Sequence, residues 1–200
     1  MRRGNLPSGG VVAVSLLVFL AGAAGCNRAA QAPAPAKPAS GPAGTLTVRS
    51  TAFAAGEAIP GKYTGDGKDV SPPLAFSGAP AGTKQLALIC DDPDAPRADP
   101  WVHWVIYRIP PDANGLPEGV ATTAKLAQPA GTRQGKNSWG KIGYGGPAPP
   151  AGHGVHHYHF RLYALDAEID LPAGAGKAEL LAAMKGHVVA EGELIGTYER

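Results

Sequence analysis

From His156 onward, Tyr158, Phe160, Leu162 and Ala164 alternate with His157, His159, Arg161 and Tyr163. A period of two predicts a strand whose apolar members share one face. Thr45 to Ser50 alternates in the same way, Gln85 to Cys90 is a short apolar run, and Trp101 to Ile109 is rich in aromatic and β-branched residues. Each predicts a strand. Gly- and Pro-rich stretches at Gly78 to Gly82, Pro110 to Pro117 and Gly143 to Gly154 separate these segments as turns. Lys177 to Lys185 alone reads as helix: it is built of helix formers, places Leu180, Leu181 and Met184 on one side, and stops before Gly186. His187 to Tyr198 reads as a last strand. The pattern predicts a mainly β fold, an antiparallel β-sandwich with a peripheral C-terminal helix.

The start of the chain has a different pattern. Arg2 and Arg3 precede an apolar run from Val11 to Leu20, and Ala23-Ala24-Gly25 then lead into Cys26. This is the layout of a secretory signal, with an apolar run short of the roughly 20 residues a membrane span needs. The Ala-Ala-Gly-Cys ending resembles a bacterial lipobox, which makes residues 1–25 a lipoprotein signal peptide and Cys26 the lipidated first residue. Acyl chains on Cys26 would supply the membrane contact. Asn27 stands where an aspartate would favour inner-membrane retention, so the expected location is the outer membrane facing the periplasm, with plain secretion as the alternative. The segment up to residue 44, rich in Ala and Pro, shows no periodicity that could bury a face and reads as a tether. Residues 45–200 remain for one folded domain.

Trimming reverses the charge. The chain has 18 basic and 16 acidic residues, but Arg2, Arg3, Arg28 and Lys37 all precede Thr45, leaving 14 basic against 16 acidic in the domain. No basic block interleaved with aromatics is present, which argues against nucleic acid as a partner. With Cys26 lipidated, Cys90 has no disulfide partner. Beside Asp91 and Asp92, whose charge disfavours a thiolate, it reads as a buried strand-end thiol and not a nucleophile.

The candidate chemistry is concentrated in three strings. Asp92-Pro93-Asp94-Ala95-Pro96 is stiffened by its prolines, and by itself could be a turn in which Asp side chains accept backbone N–H groups. His103-Trp104 and Gly154-Val155-His156-His157-Tyr158 add imidazoles and a phenol. The strings Ser71-Pro72-Pro73-Leu74, Asp-Pro-Asp-Ala-Pro, Val102-His103-Trp104, Gly145-Gly146-Pro147 with Pro149-Pro150, and Gly154-Val155-His156-His157-Tyr158 occur in this order. Together they resemble the phosphatidylethanolamine-binding protein family, in its bacterial Raf kinase inhibitor-like branch, over most of residues 45–200.

The resemblance implies a β-sandwich with a small pocket for phosphate, acetate-like groups or phospholipid headgroups, with no cofactor and no established catalysis. Carried over by motif, the pocket residues are Asp92, Asp94, Pro96, His103, Pro149, Pro150, His156 and Tyr158. Tyr158, the histidines and the backbone N–H groups of residues 152–155 would donate to the anion. An ionised Asp repels phosphate, so Asp92 or Asp94 would orient and charge a histidine or meet a headgroup amine. The chain departs from the family pattern at His157, where arginine is usual, at Phe76, where tryptophan is frequent, and at Ala148, where bacterial members often have cysteine.

The leading expectation is a binding module that takes a small anion or headgroup, or an envelope protein partner at the pocket rim. Export would separate it from the cytosolic kinases that the family name suggests. Alternatives are inhibition of an envelope hydrolase and a phosphoester-processing enzyme using the Asp and His residues, although neither Ser71 nor Ser138 has a nucleophile-elbow context. His153, His156, His157 and His159 invite a metal reading, which alternation along the strand opposes. A homodimer through a sandwich edge is left open.

Overall fold

The computed structural model describes residues 44–200; the signal segment, Cys26 and the tether lie outside the described residues. Nine strands and one α-helix follow in order: β1 (Gly44–Thr45), β2 (Thr47–Arg49), β3 (Leu74–Ser77), β4 (Gln85–Asp92), β5 (Trp101–Ile109), β6 (Gly115–Leu116), β7 (Arg133–Gln134), β8 (His156–Leu165), α1 (Lys177–Met184) and β9 (Val188–Tyr198). A six-stranded sheet runs β1-β9-β8-β4-β5-β7 and a three-stranded sheet runs β2-β3-β6. All pairings between named strands are antiparallel except β1 with β9.

The Thr45 to Ser50 alternation does not form one strand. The chain breaks at Leu46: β1 belongs to the large sheet and β2 to the small one. Leu46 is buried at the crossing, and its N–H donates to the Glu191 carbonyl at 3.1 Å. A segment that serves both sheets closes one side of the sandwich.

The apolar run Leu86 to Ile89 lies in β4, all of whose residues are buried because the strand is central and covered on both faces. Leu86, Leu88 and Cys90 face the space between the sheets, with Trp104, Ile106, Phe160 and Leu162 from the large sheet and Val48, Leu74, Phe76 and Leu116 from the small one. Ala87 and Ile89 face outward, onto a second core with Val105, Tyr107, Leu180 and Met184. A strand buried on both faces loses its alternation and becomes a continuous apolar run.

Helix α1 covers that outer face. Its start is held by the Glu179 carboxylate, which accepts the Gly176 N–H at 2.6 Å, and Gly186 follows it at φ 81°. Leu180 and Met184, four residues apart, are buried, but Leu181 is exposed. The expectation of three residues on one side therefore holds for two: at about 100° per residue, Leu181 turns away from the sheet.

Leu180→Ala should lower stability by about 2–5 kcal/mol through the lost burial and the cavity left. Leu181→Ala should stay within about 0.5 kcal/mol of the unmutated protein. Urea unfolding of the two variants measures both.

Candidate functional site

Because β4 runs antiparallel to both β5 and β8, its C-terminal end lies beside the starts of these two strands, with Asp92 opposite Trp101 and Asp91 opposite His159. Residues from Asp92 to Tyr158 are thereby gathered at one end of the large sheet. A cleft of about 290 Å³ opens there, lined by Asp92, Pro96, His103, Pro149, Pro150, His156 and Tyr158 of the motif residues, and by Ala95, Arg97, Trp101, Trp139 and Ala148.

Local irregularity aims His103. Between the pairs Cys90–Trp104 and Asp91–Val102 the register shifts, leaving His103 as an extra residue in β5. Such a bulge re-phases the strand and redirects its side chains. Trp104 is thus in the inner core and Val105 in the outer one, while Trp101 and His103 line the cleft.

The two adjacent acids of β4 point to opposite faces. Asp91, fully buried on the outer side, accepts hydrogen bonds from Arg161 Nη1 at 2.7 Å and from Lys177 Nζ. Asp92, on the cleft side, has both oxygens engaged: Oδ1 accepts the Asp94 N–H at 2.8 Å and Oδ2 accepts from His156 Nδ1 at 2.7 Å. The turn reading and the histidine-orienting reading of Asp92 thus describe two oxygens of one carboxylate. Asp92 and His156 are 3% and 1% exposed. His156 Nε2 in turn lies 2.8 Å from His153 Nδ1.

Asp94 does not line the cleft. Its Oδ2 accepts from the backbone N–H of His157 at 2.8 Å and from His157 Nδ1 at 2.7 Å, on the exposed side. Burial raises its carboxyl, but those bonds and the neighbouring imidazoles together hold it below the usual range. The Asp-Pro-Asp-Ala-Pro loop is consequently pinned to the start of β8 twice, by Asp92 within and by Asp94 without. The lining prolines reach the cleft from this loop and from the segment 148–150.

His103 donates from Nδ1 to the Gly145 carbonyl at 2.6 Å, since a carbonyl can only accept. In the neutral ring Nε2 then carries a lone pair. Burial pushes the His103 pKa below its ordinary 6.5, outweighing the carbonyl and the acidic neighbours that raise it. Tyr158 has a buried hydroxyl with no hydrogen-bond partner, and burial, with Asp92 adding to it, drives its pKa far above the ordinary tyrosine value. The phenol therefore keeps its proton.

The proposed backbone donors at residues 152–155 are partly spent. The N–H of Gly152 donates to the Arg200 carbonyl and that of His153 to the Pro150 carbonyl, both at 3.1 Å. Arg97 and Trp139 are lining residues that motif reading missed. The Arg97 guanidinium sits 4.4 Å over the Trp101 ring. Trp139 packs edge-on against both Trp101 and His103, at 5.2 and 5.1 Å between ring centroids. It is held there by Ser138, whose Oγ accepts the Val102 N–H, and by a close approach to Gly145, where a Cβ would stand 2.8 Å from the indole. A tryptophan directly before a Gly-rich loop was the available signal. Ser71, the other serine weighed as a nucleophile, accepts the Val120 N–H; neither serine lines the cleft. Cys90 is buried, and burial, with Asp91 and Asp92, raises its thiol pKa. Among the described residues no group of three or more His, Cys, Asp or Glu is arranged to hold a metal ion.

The fold is a two-sheet β-sandwich with a cleft at its strand ends, the kind of concavity in which ligand sites occur. The family model for phosphatidylethanolamine-binding protein matches residues 49–199, and the chain belongs to that family. It is 52% identical over 155 residues to a UPF0098 protein of Methanothermobacter thermautotrophicus, covering 78% of this chain and 99% of the relative. A Mycobacterium tuberculosis protein named as a lipoprotein, LppC, is 41% identical over 170 residues, 85% of this chain and 77% of its own. Among solved structures, the E. coli family member YbcL superposes with a TM-score of 0.73 at 32% identity, over 78% of this chain and 98% of that one. The homologue CT736 of Chlamydia trachomatis gives 0.70 at 42% identity, over the same shares.

The depressed His103 pKa fixes a sign. The unfolded chain titrates this ring at about 6.5 and the folded one lower, so the unfolded state takes up the proton first as pH falls. His103 thus makes stability fall as pH drops below about 6.5, until the folded ring is protonated as well. His103→Asn, which retains a donor for the Gly145 carbonyl, should show a shallower acid-side loss when urea unfolding is compared across pH.

Proposed function

We propose that this protein is an exported, lipid-anchored binding module whose cleft takes a small oxyanion: a phosphate, a phosphomonoester or a phospholipid headgroup. The observation that carries the reading is Tyr158. A buried hydroxyl without a partner costs about 1–3 kcal/mol, and here it belongs to the wall of an open cleft. A ligand acceptor would satisfy it.

The other groups fit the same ligand class. Arg97 is the single Lys or Arg among the lining residues, and its planar fork is held over Trp101, ready to meet an oxyanion edge. Asp92 turns no free oxygen toward the ligand, since both of its oxygens are already engaged. Neutral His103 offers a lone pair, which suits an oxyanion that still carries a proton. The volume lies at the lower end of the roughly 300–1,000 Å³ usual for ligand sites, enough for a headgroup and too small for acyl chains. Among the described residues no serine or cysteine nucleophile meets the Asp92–His156 pair, which favours binding over turnover.

Anchoring through Cys26, with the domain facing the periplasm, follows from the signal layout and is supported by the resemblance to a protein named as a lipoprotein. Cys26→Ser expressed in a bacterial host should move the protein from the membrane fraction to the soluble fraction; unchanged fractionation would refute lipidation.

Calorimetric titration with inorganic phosphate and with phosphoethanolamine tests the cleft. Saturable binding is expected, with His156→Ala abolishing it and Tyr158→Phe weakening it about ten- to a hundredfold, the worth of a hydrogen bond to a charged group. Affinity should fall as pH rises, because phosphate loses the proton that pairs with the lone pair of neutral His103. A pH-independent affinity would contradict these roles.

A further inference from the structure

His156 has two ring nitrogens and the structure engages both. Nδ1 donates to Asp92, and Nε2 faces His153 Nδ1 at 2.8 Å, a hydrogen-bond distance in which one proton lies between the two nitrogens. The two rings stand 5.0 Å apart at 54°. His156 is almost wholly buried and lines the cleft, whereas His153 is exposed and does not. The ring nearest solvent thus covers the one nitrogen through which His156 could contact a ligand.

The segment carrying His153 is flanked by two glycines with no neighbours crowding them. Gly152 and Gly154 flank it at φ 74° and 87°, and a Cβ at either would meet nothing within 4 Å. Open space on both sides and left-handed backbone that glycine adopts freely make the pair a natural hinge. Within the segment, the backbone contacts are those of Gly152 to the Arg200 carbonyl and His153 to the Pro150 carbonyl, neither of which fixes the imidazole. Its ring is held by His156 alone among the contacts described.

We propose that His153 is an internal cap: its imidazole occupies the hydrogen-bonding position at His156 Nε2 that an incoming oxyanion takes, and it swings out on Gly152 and Gly154 when the ligand binds. The inference rests on the anion-cleft reading and adds to it a residue that sets affinity without touching the ligand. It also assigns the cost of keeping His156 satisfied in the empty cleft, where an orphaned buried ring nitrogen would be expensive. Tyr158 has no such stand-in, which leaves it as the unsatisfied group.

The test is titration of the protein and its His153→Ala variant with inorganic phosphate at one fixed pH, with ¹⁵N NMR of the histidine rings. Removing the cap should raise phosphate affinity about three- to tenfold, the net worth of one hydrogen bond. Without phosphate, the His156 Nε2 resonance should differ between the two proteins. In the unmutated protein, saturation with phosphate should shift His153 Nδ1 to the position of a solvated imidazole. Equal affinities, or weaker binding by His153→Ala, would overturn the cap while leaving the anion cleft standing; the latter would make His153 a ligand contact. Failure of both proteins to bind phosphate would remove the cleft reading, and the cap with it.

Discussion

The hydrogen bond between Asp92 and His156 is the constraint on which the site depends. It ties the end of β4 to the start of β8 across the head of the large sheet, and both groups are nearly inaccessible to water. A buried pair of this kind adds little net stability, but breaking it by removing one partner costs about 3–5 kcal/mol because the other is stranded. Its value here is positional. With Asp92 fixed, its second oxygen holds the Asp94 N–H, and the loop carrying Pro96 and Arg97 is set against the cleft. With His156 fixed through Nδ1, only Nε2 is left to meet His153 or a ligand.

The sheet supplies the frame for that contact. Antiparallel order places three strand ends together, the bulge in β5 turns His103 toward the cleft, and the alternation of β4 sends Asp91 to Arg161 and Lys177 on the opposite face. Two adjacent carboxylates are thereby separated by the pleat, each with its own positive or hydrogen-bonding partner. Stability of the outer core and chemistry of the cleft come from neighbouring residues of one strand.

Much of this was legible in the sequence. The period-two pattern of β8 correctly assigned its inner and outer faces, and the tail emerged as the strand β9. The motif strings named seven residues that line the cleft. What escaped depended on geometry that no spacing encodes. Asp94 sits two residues from Asp92 but turns outward because the His157 backbone and ring lie there. The break at Leu46 comes from the need of one short segment to serve two sheets. Arg97 and Trp139 enter the cleft from loops whose course is set by contacts with Trp101, His103 and Gly145, distant in sequence. His153 stood in the sequence among four histidines, and only the fold singles out its contact with His156.

The central claim, that Asp92 serves an anion cleft by orienting His156, is tested most directly by phosphate titration of Asp92→Asn near neutral pH. The substitution keeps the shape and an acceptor but removes a negative charge from the lining of the cleft. If Asp92 positions His156, phosphate affinity falls despite the more favourable net charge. If affinity instead rises, as simple charge repulsion would have it, the carboxylate is an obstacle to the anion and the account of the site is wrong.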